Sequence, residues 1–140
     1  MARPTIAERF DIDDLFTRYA AAIDRGDVGE IVACFVPDGW LDSPIVGRYE
    51  GPDGIRAFAE MNARAVHERG VRMRHVISNL RIDIEGDRGR ATCYLLDIVT
   101  RDGVSELLSP GEYDCELIRT AEGWRFASRI VRMDRQFPMP

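Results

Sequence analysis

Five side chains in this sequence could carry out acid–base chemistry if folding brought them together: Tyr19, Asp24, His75, Asp97 and Arg129. Tyr19 lies on the apolar stripe of a predicted helix over Phe10–Asp24, with Ile12, Leu15, Phe16 and Ile23 at three- and four-residue steps. Asp24 follows five residues later, just before the helix-breaking Gly26. A phenol and a carboxylate converging at the end of a buried helix can wall a reactive pocket. The same pair can also bury one tyrosine and cap one turn. His75 in RHVISN, Asp97 in CYLLDIV and Arg129 in RFASRIVRM each sit within an apolar strand pattern. Alternation places Asp97 on the face of Leu95 and Val99, and Arg129 on that of Ala127 and Val131. A charge at such a position costs several kcal/mol if left unpaired. The bland alternatives are a hydrogen-bonded core histidine at His75 and a structural Asp97–Arg129 ion pair.

The elements that must position these residues change type along the chain. Asp27 with Glu30 starts a short second helix whose stripe is Val28, Ile31, Val32 and Phe35, closed by Pro37-Asp38-Gly39. Trp40–Tyr49 is expected to form one or two short strands around Pro44 and Gly47. Gly51-Pro52-Asp53-Gly54 opens a third helix with Ile55, Phe58, Met61, Ala65 and Val66 facing the core. His67 falls on the polar side of that helix, as a solvated residue. From Val71 the period becomes that of strands: Val71–Glu85 with Val76, Leu80, Ile82 and Ile84 on one buried side, then Ala91–Thr100, Gly111–Thr120 and Trp124–Arg135. Turn signals at Gly86–Gly89, Arg101–Gly103 and Ala121–Gly123 join them into an antiparallel meander. The fold class is α+β, a single domain over residues 1–140 with its core roughly 10–135. N-terminal helices pack inside a curved antiparallel sheet, giving a cone with one open mouth. Trp40, Tyr49, Tyr113 and Trp124 read as core or cavity wall. The tail Gln136–Pro140 reads as loose, free to pack on a neighbouring subunit.

Composition narrows the partners. A net charge of −5, with no basic run, argues against nucleic acid as the main partner. All 19 basic residues are Arg, which rules out Schiff-base chemistry through a lysine. Cys34, Cys93 and Cys115 form no CxxC pair and no metal-like spacing, so reduced, buried thiols in a cytoplasmic protein are expected. No run approaches membrane-spanning length, and no Gly-rich phosphate loop precedes a helix. The expectation is a cytoplasmic protein without metal or cofactor.

Tyr19-x4-Asp24, Gly26-Asp27, GRYEGPDGI at Gly47–Ile55, Arg74-His75 and GWRFASRIV at Gly123–Val131 together resemble the SnoaL-like branch of the nuclear transport factor 2-like superfamily. The resemblance covers roughly Ile12 to Arg135 and points to the scytalone dehydratase, bile-acid dehydratase and hexachlorocyclohexane dehydrochlorinase group. It implies the same α+β cone, and an Asp–His dyad as base that falls on Asp24 and His75. Bile-acid dehydratase also has residues matching Tyr19, Asp97 and Arg129. The dehydrochlorinase has a lysine at the Tyr19 position and a pocket tryptophan at that of Trp40. The sequence lacks the second sheet histidine of scytalone dehydratase, which argues against scytalone as substrate. By this resemblance Asp24 orients His75, whose other nitrogen takes a proton from carbon. Tyr19 donates to a carbonyl oxygen or departing hydroxyl, Arg129 stabilises developing negative charge, and Asp97 orients Arg129 or contacts a substrate hydroxyl. Trp40, Tyr49 and Tyr113 bind substrate.

The expected activity is a cofactor-independent lyase or isomerase that performs β-elimination on a small apolar molecule, cyclic or polyketide-like compounds included. Two alternatives stand beside it: an epoxide hydrolase or cyclase using Asp97 and Arg129, and a non-catalytic ligand-binding or assembly module. The expected partners are a small-molecule substrate and one or two further copies of the chain, as a homodimer or homotrimer.

Overall fold

The computed structural model describes the whole chain, Met1–Pro140. Helix α1 spans Ile6–Arg25, four residues earlier at its start than periodicity predicts. Thr5 supplies the reason: its hydroxyl accepts from the Glu8 amide at 3.1 Å, and the Glu8 carboxylate accepts from the Thr5 amide at 2.9 Å. This reciprocal cap satisfies two amides that the helix itself cannot bond. At the far end Gly26 takes φ 69°, the left-handed conformation that ends a helix, directly after Asp24 and Arg25. A Cβ there would stand 3.1 Å from Val66 Cβ and 3.2 Å from Ala63 Cα, so packing adds to φ in favouring glycine at position 26.

Helix α2 is shorter than its apolar stripe suggested, Val28–Ala33, with the Asp27 carboxylate accepting from the Glu30 amide. Phe35 belongs instead to strand β1, Phe35–Ser43, which runs through Pro37–Gly39 by an irregularity in its pairing. Proline and glycine are tolerated there because the ladder is already interrupted. Strand β2 is Gly47–Glu50 and helix α3 is Gly51–His67. The meander follows as β3 (Arg72–Glu85), β4 (Arg88–Arg101), β5 (Val104–Thr120) and β6 (Gly123–Met133).

These six strands form one sheet in the order β2-β1-β6-β5-β4-β3, with β1 parallel to β6 and every other pair antiparallel. The sheet curves without closing, and the buried stripe of α1 (Ile12, Leu15, Phe16, Tyr19, Ala22, Ile23) fills its concave side. The architecture is the α+β cone expected from sequence.

Two bulges decide which side chains enter the cone. In β3 the pairing slips between Ser78 and Arg81, where Asn79 adopts φ 57°. Before the slip the inward residues are Met73, His75 and Ile77; after it they are Ile82 and Ile84. Val76 is therefore exposed on the outer face, not part of one buried side with Ile82 and Ile84. A second slip at Glu116/Leu117 opposes Ala127 to no residue. Inward-facing Trp124 and Phe126 precede it and buried Arg129 follows, so Ala127 does not share a simple alternating face with Arg129.

Candidate active site

A cavity of about 90 Å³ occupies the mouth of the cone. Tyr19 and Ile23 reach it from α1, Phe58 and Asn62 from α3, and His75, Asp97 and Tyr113 from β3, β4 and β5. Most of the remaining wall is aliphatic. Four of the five candidate residues are thus close to one another or on one wall; Arg129 is set behind it.

Asp24 sits in the last turn of α1, where the helix meets β3. Its Oδ1 is 2.7 Å from His75 Nδ1, and both carboxylate oxygens accept from the His75 backbone amide at 3.2 Å. The side chains are only 16% and 10% exposed. Asp24 is therefore not a surface cap; it is the acceptor that keeps a proton on Nδ1. The lone pair of the neutral ring then lies on Nε2. Asp97 Oδ1 stands 3.8 Å from that nitrogen, too far for a direct bond. The same oxygen is buried and has no hydrogen-bond partner.

The electrostatics follow from this arrangement. Burial opposes a charged His75, but the Asp24 hydrogen bond and the nearby Asp97 and Asp24 charges outweigh it and raise the imidazole above its usual 6.5. Burial pushes the Asp97 carboxyl above the usual carboxylate value, only partly offset by His75. His75 binds its proton more tightly in the folded protein than in the unfolded chain. Its contribution to stability is accordingly complete below pH 6.5 and lost as pH rises through the folded value. The neutral ring, with its lone pair on Nε2, predominates only above that value. The acid limb of kcat/KM is expected above pH 6.5, and Asp97→Asn should move it down by removing a charge that favours the imidazolium. A titration of the His75 ring protons by NMR, in both proteins, checks the order; an upward or absent shift would contradict it.

Arg129 has no exposed surface and no carboxylate within 4 Å. The expected Asp97–Arg129 pair is not formed. The guanidinium carbon instead lies 3.7 Å from the ring centre of Tyr113, 4.2 Å from Tyr19, 4.3 Å from Phe126 and 4.9 Å from Phe16. Its Nη1 donates to Cys115 Sγ at 3.2 Å, while Nε and Nη2 have no partner. Burial pushes Cys115 up to about 12 and raises both tyrosines, so none of these neighbours is an anion near neutrality. Arg129 is a cation whose charge is felt through the rings of Tyr19 and Tyr113, and it does not itself line the cavity.

Two proposed substrate-binding residues lie elsewhere. Alternation along β1 turns Leu41 and Ser43 into the cavity and Trp40 outward, where its ring stacks under Arg48 at 4.0 Å. Tyr49 backs the wall without lining it: its ring packs on Phe58 and its hydroxyl is 3.7 Å from Met61 Sδ. Tyr113 does line the cavity, and Trp124 is buried in the core away from it. His67 is exposed, but its Nε2 lies 3.1 Å from the Gly26 carbonyl oxygen. The three cysteines are free and buried. No cluster of three His, Cys, Asp or Glu side chains makes a metal-ligand set. No helix is long and apolar enough to cross a membrane.

Asn62 is the polar wall residue that sequence reasoning passed over. It is buried on the stripe Phe58, Asn62, Ala65 of α3, and an amide on that stripe was the available signal. Its Nδ2 donates to the Ile23 carbonyl at 2.9 Å, tying α3 to the turn that carries Asp24. Asn62→Ala is expected to cost about 1–2 kcal/mol in denaturant unfolding. An unchanged midpoint would show that this bond does not hold the turn.

The α+β cone is the nuclear transport factor 2-like fold. The SnoaL-like domain family matches residues 4–130, and the chain belongs to it. An uncharacterized protein of Mycobacterium tuberculosis is 26% identical over 127 residues, covering 89% of this chain and 84% of that one. A structure from Catenulispora acidiphila in complex with S-DNPA superposes with a TM-score of 0.80 at 28% identity, covering 93% and 96% of the two chains. ActVI-ORFA from Streptomyces coelicolor shares the fold with a TM-score of 0.82 at 22% identity, covering 96% and 100%.

Proposed function

We propose that this protein is a cofactor-independent lyase or isomerase in which the Asp24–His75 dyad removes a proton from carbon and a β-leaving group departs. The observation that carries the reading is the 2.7 Å contact between Asp24 and Nδ1, which leaves Nε2 as a base toward the cavity. Nε2 takes the proton and Asp24 stabilises the resulting imidazolium. Tyr19, kept protonated by burial, donates to the carbonyl oxygen as enolate character develops. Arg129 lowers the energy of that charge from behind the phenol rings. The proton taken by Nε2 is then delivered to the departing hydroxyl, which leaves as water and frees the imidazole, while Asp97, 3.8 Å from Nε2, accepts from that hydroxyl and orients it.

The aliphatic cavity supports a small, largely apolar substrate, and membership of a family with polyketide cyclases and dehydratases supports a cyclic or polyketide-like one. The complex of the Catenulispora acidiphila protein with S-DNPA supports small-molecule binding within this fold. The exposed Val76, Tyr94 and Leu96 on the outer sheet face favour a homo-oligomer. An epoxide hydrolase or cyclase using Asp97 and Arg129 is the weaker reading, because Asp97 lines the cavity and Arg129 does not.

The test is incubation with a panel of cyclic β-hydroxy ketones in deuterated water. Exchange at the carbon next to the carbonyl, accompanied by loss of water, is the expected result. Binding of panel members with neither exchange nor elimination would replace the enzyme reading with a binding module.

A further inference from the structure

The chain beyond β6 does not leave the molecule. Phe137, Met139 and Pro140 form part of the cavity wall, together with His75, Phe58 and Met73. The tail expected to be loose thus has no secondary structure but borders the cavity of its own chain. We infer that Gln136–Pro140 is a strap that gates the cavity, and that Phe137 and Met139 set the size of the molecule admitted.

Several independent observations point this way. The strap is pivoted on a fixed point, since the Asp134 amide donates to the Pro110 carbonyl at 3.0 Å and the Arg135 amide to buried Ser109 Oγ at 3.1 Å. Beyond the pivot only one hydrogen bond holds it, from Arg69 Nη2 to the Pro140 carbonyl oxygen at 3.2 Å. No backbone amide of residues 136–140 is bonded within the protein, so swinging the strap breaks no ladder. Its sequence suits a stiff lever. Pro138 and Pro140 lack amide protons, fix their own φ and keep Phe137 and Met139 extended. Extended residues two apart project to one side, and both of these reach the cavity.

The strap is also undercut. A space of about 240 Å³ bounded by Val99, Val104 and Leu108 lies along it, and another of about 350 Å³ lies at Arg69 and Val71; Met139 and Pro140 border both. The cavity, about 90 Å³, is well below the roughly 300–1,000 Å³ usual for organic ligands. Moving five residues that carry one hydrogen bond joins these spaces, whereas the rest of the wall, apart from Ile45 and Val46 in the turn before β2, belongs to helices and strands. The gate rests on this cavity being the ligand site of the proposed function, but not on His75 being a base.

Modification by diethyl pyrocarbonate tests access directly, because the reagent acylates neutral imidazole and the protein has two histidines. His75 reports the cavity and exposed His67 serves as internal reference. In the full chain carrying Phe137→Ala and Met139→Ala, the alkaline plateau rate at His75 should rise about tenfold, with its pH midpoint and the His67 rate unchanged. Arg69→Ala should give a smaller rise. An unchanged plateau overturns the gate. So does a joint rise at both histidines, which reports loosening of the whole fold, or a shifted midpoint at constant plateau, which reports altered acidity. Failure of the elimination chemistry would appear separately, as turnover that survives His75→Ala.

Discussion

His75→Ala is expected to lower kcat/KM for elimination by about 10²–10⁴ while leaving a folded protein. The fold should survive because Asp24 accepts from the backbone amide of residue 75 through both oxygens, and an alanine keeps that amide. The loss should therefore appear in turnover and not in circular dichroism or thermal midpoint. Asp24→Asn is expected to be nearly as damaging for a different reason. An amide nitrogen facing Nδ1 would donate to it and move the ring proton to Nε2, where the lone pair is needed. Substrate binding should change little in either variant, since neither side chain carries much of the apolar wall. A His75→Ala enzyme that retained wild-type turnover on an accepted substrate would end the dyad assignment.

Arg129→Met is the second large effect, and its sign separates function from stability. The guanidinium is fully buried with no anionic partner, and two of its nitrogens make no hydrogen bond. Desolvating one ion costs several kcal/mol, and each unmet donor adds about 1–3 kcal/mol. Ring contacts return about 0.5–2 kcal/mol apiece, and four rings around one cation do not add fully. The penalty is expected to win. Methionine fills a similar volume among Phe16, Tyr19, Tyr113 and Phe126 without charge, so Arg129→Met should stabilise the protein by about 1–3 kcal/mol in urea unfolding. Arg129→Ala should instead destabilise by about 3–5 kcal/mol, because the emptied cage cannot collapse. Elimination should fall in both, as the charge that stabilises the enolate is gone. If methionine destabilised as much as alanine, the cage would be a structural cation–π anchor and its place in the mechanism would have to be withdrawn.

Some of this molecule was legible from residue order alone. The stripe of α1, the glycine that ends it, the turn-separated strands and the α+β class all depend on neighbours within a few positions. Local signals specify them for that reason: a 3.6-residue period, a left-handed cap and tight turns are properties of short segments. The charges at Asp97 and Arg129 were visible as anomalies because each interrupts an apolar strand.

What residue pattern alone could not supply is the relation between those residues; the Asp24–His75 pairing was expected only from the family resemblance. Asp24 and His75 are 51 positions apart, and only the crossing of α1 over β3 makes them partners. Asp97 and Arg129 looked like a pair by charge, yet curvature of the sheet turns one toward His75 and the other into an aromatic cage. Bulges at Ser78/Arg81 and Glu116/Leu117 shifted facing by one residue, which a fixed two-residue period cannot anticipate. Trp40 was placed in the pocket by the resemblance to the dehydrochlorinase, whereas the local facing of β1 turns Leu41 and Ser43 inward instead. The Tyr19–Asp24 spacing set the chemistry that was available; long-range packing alone decided that Asp24 faces inward, that Arg129 stands behind the wall, and that Phe137 and Met139 close it.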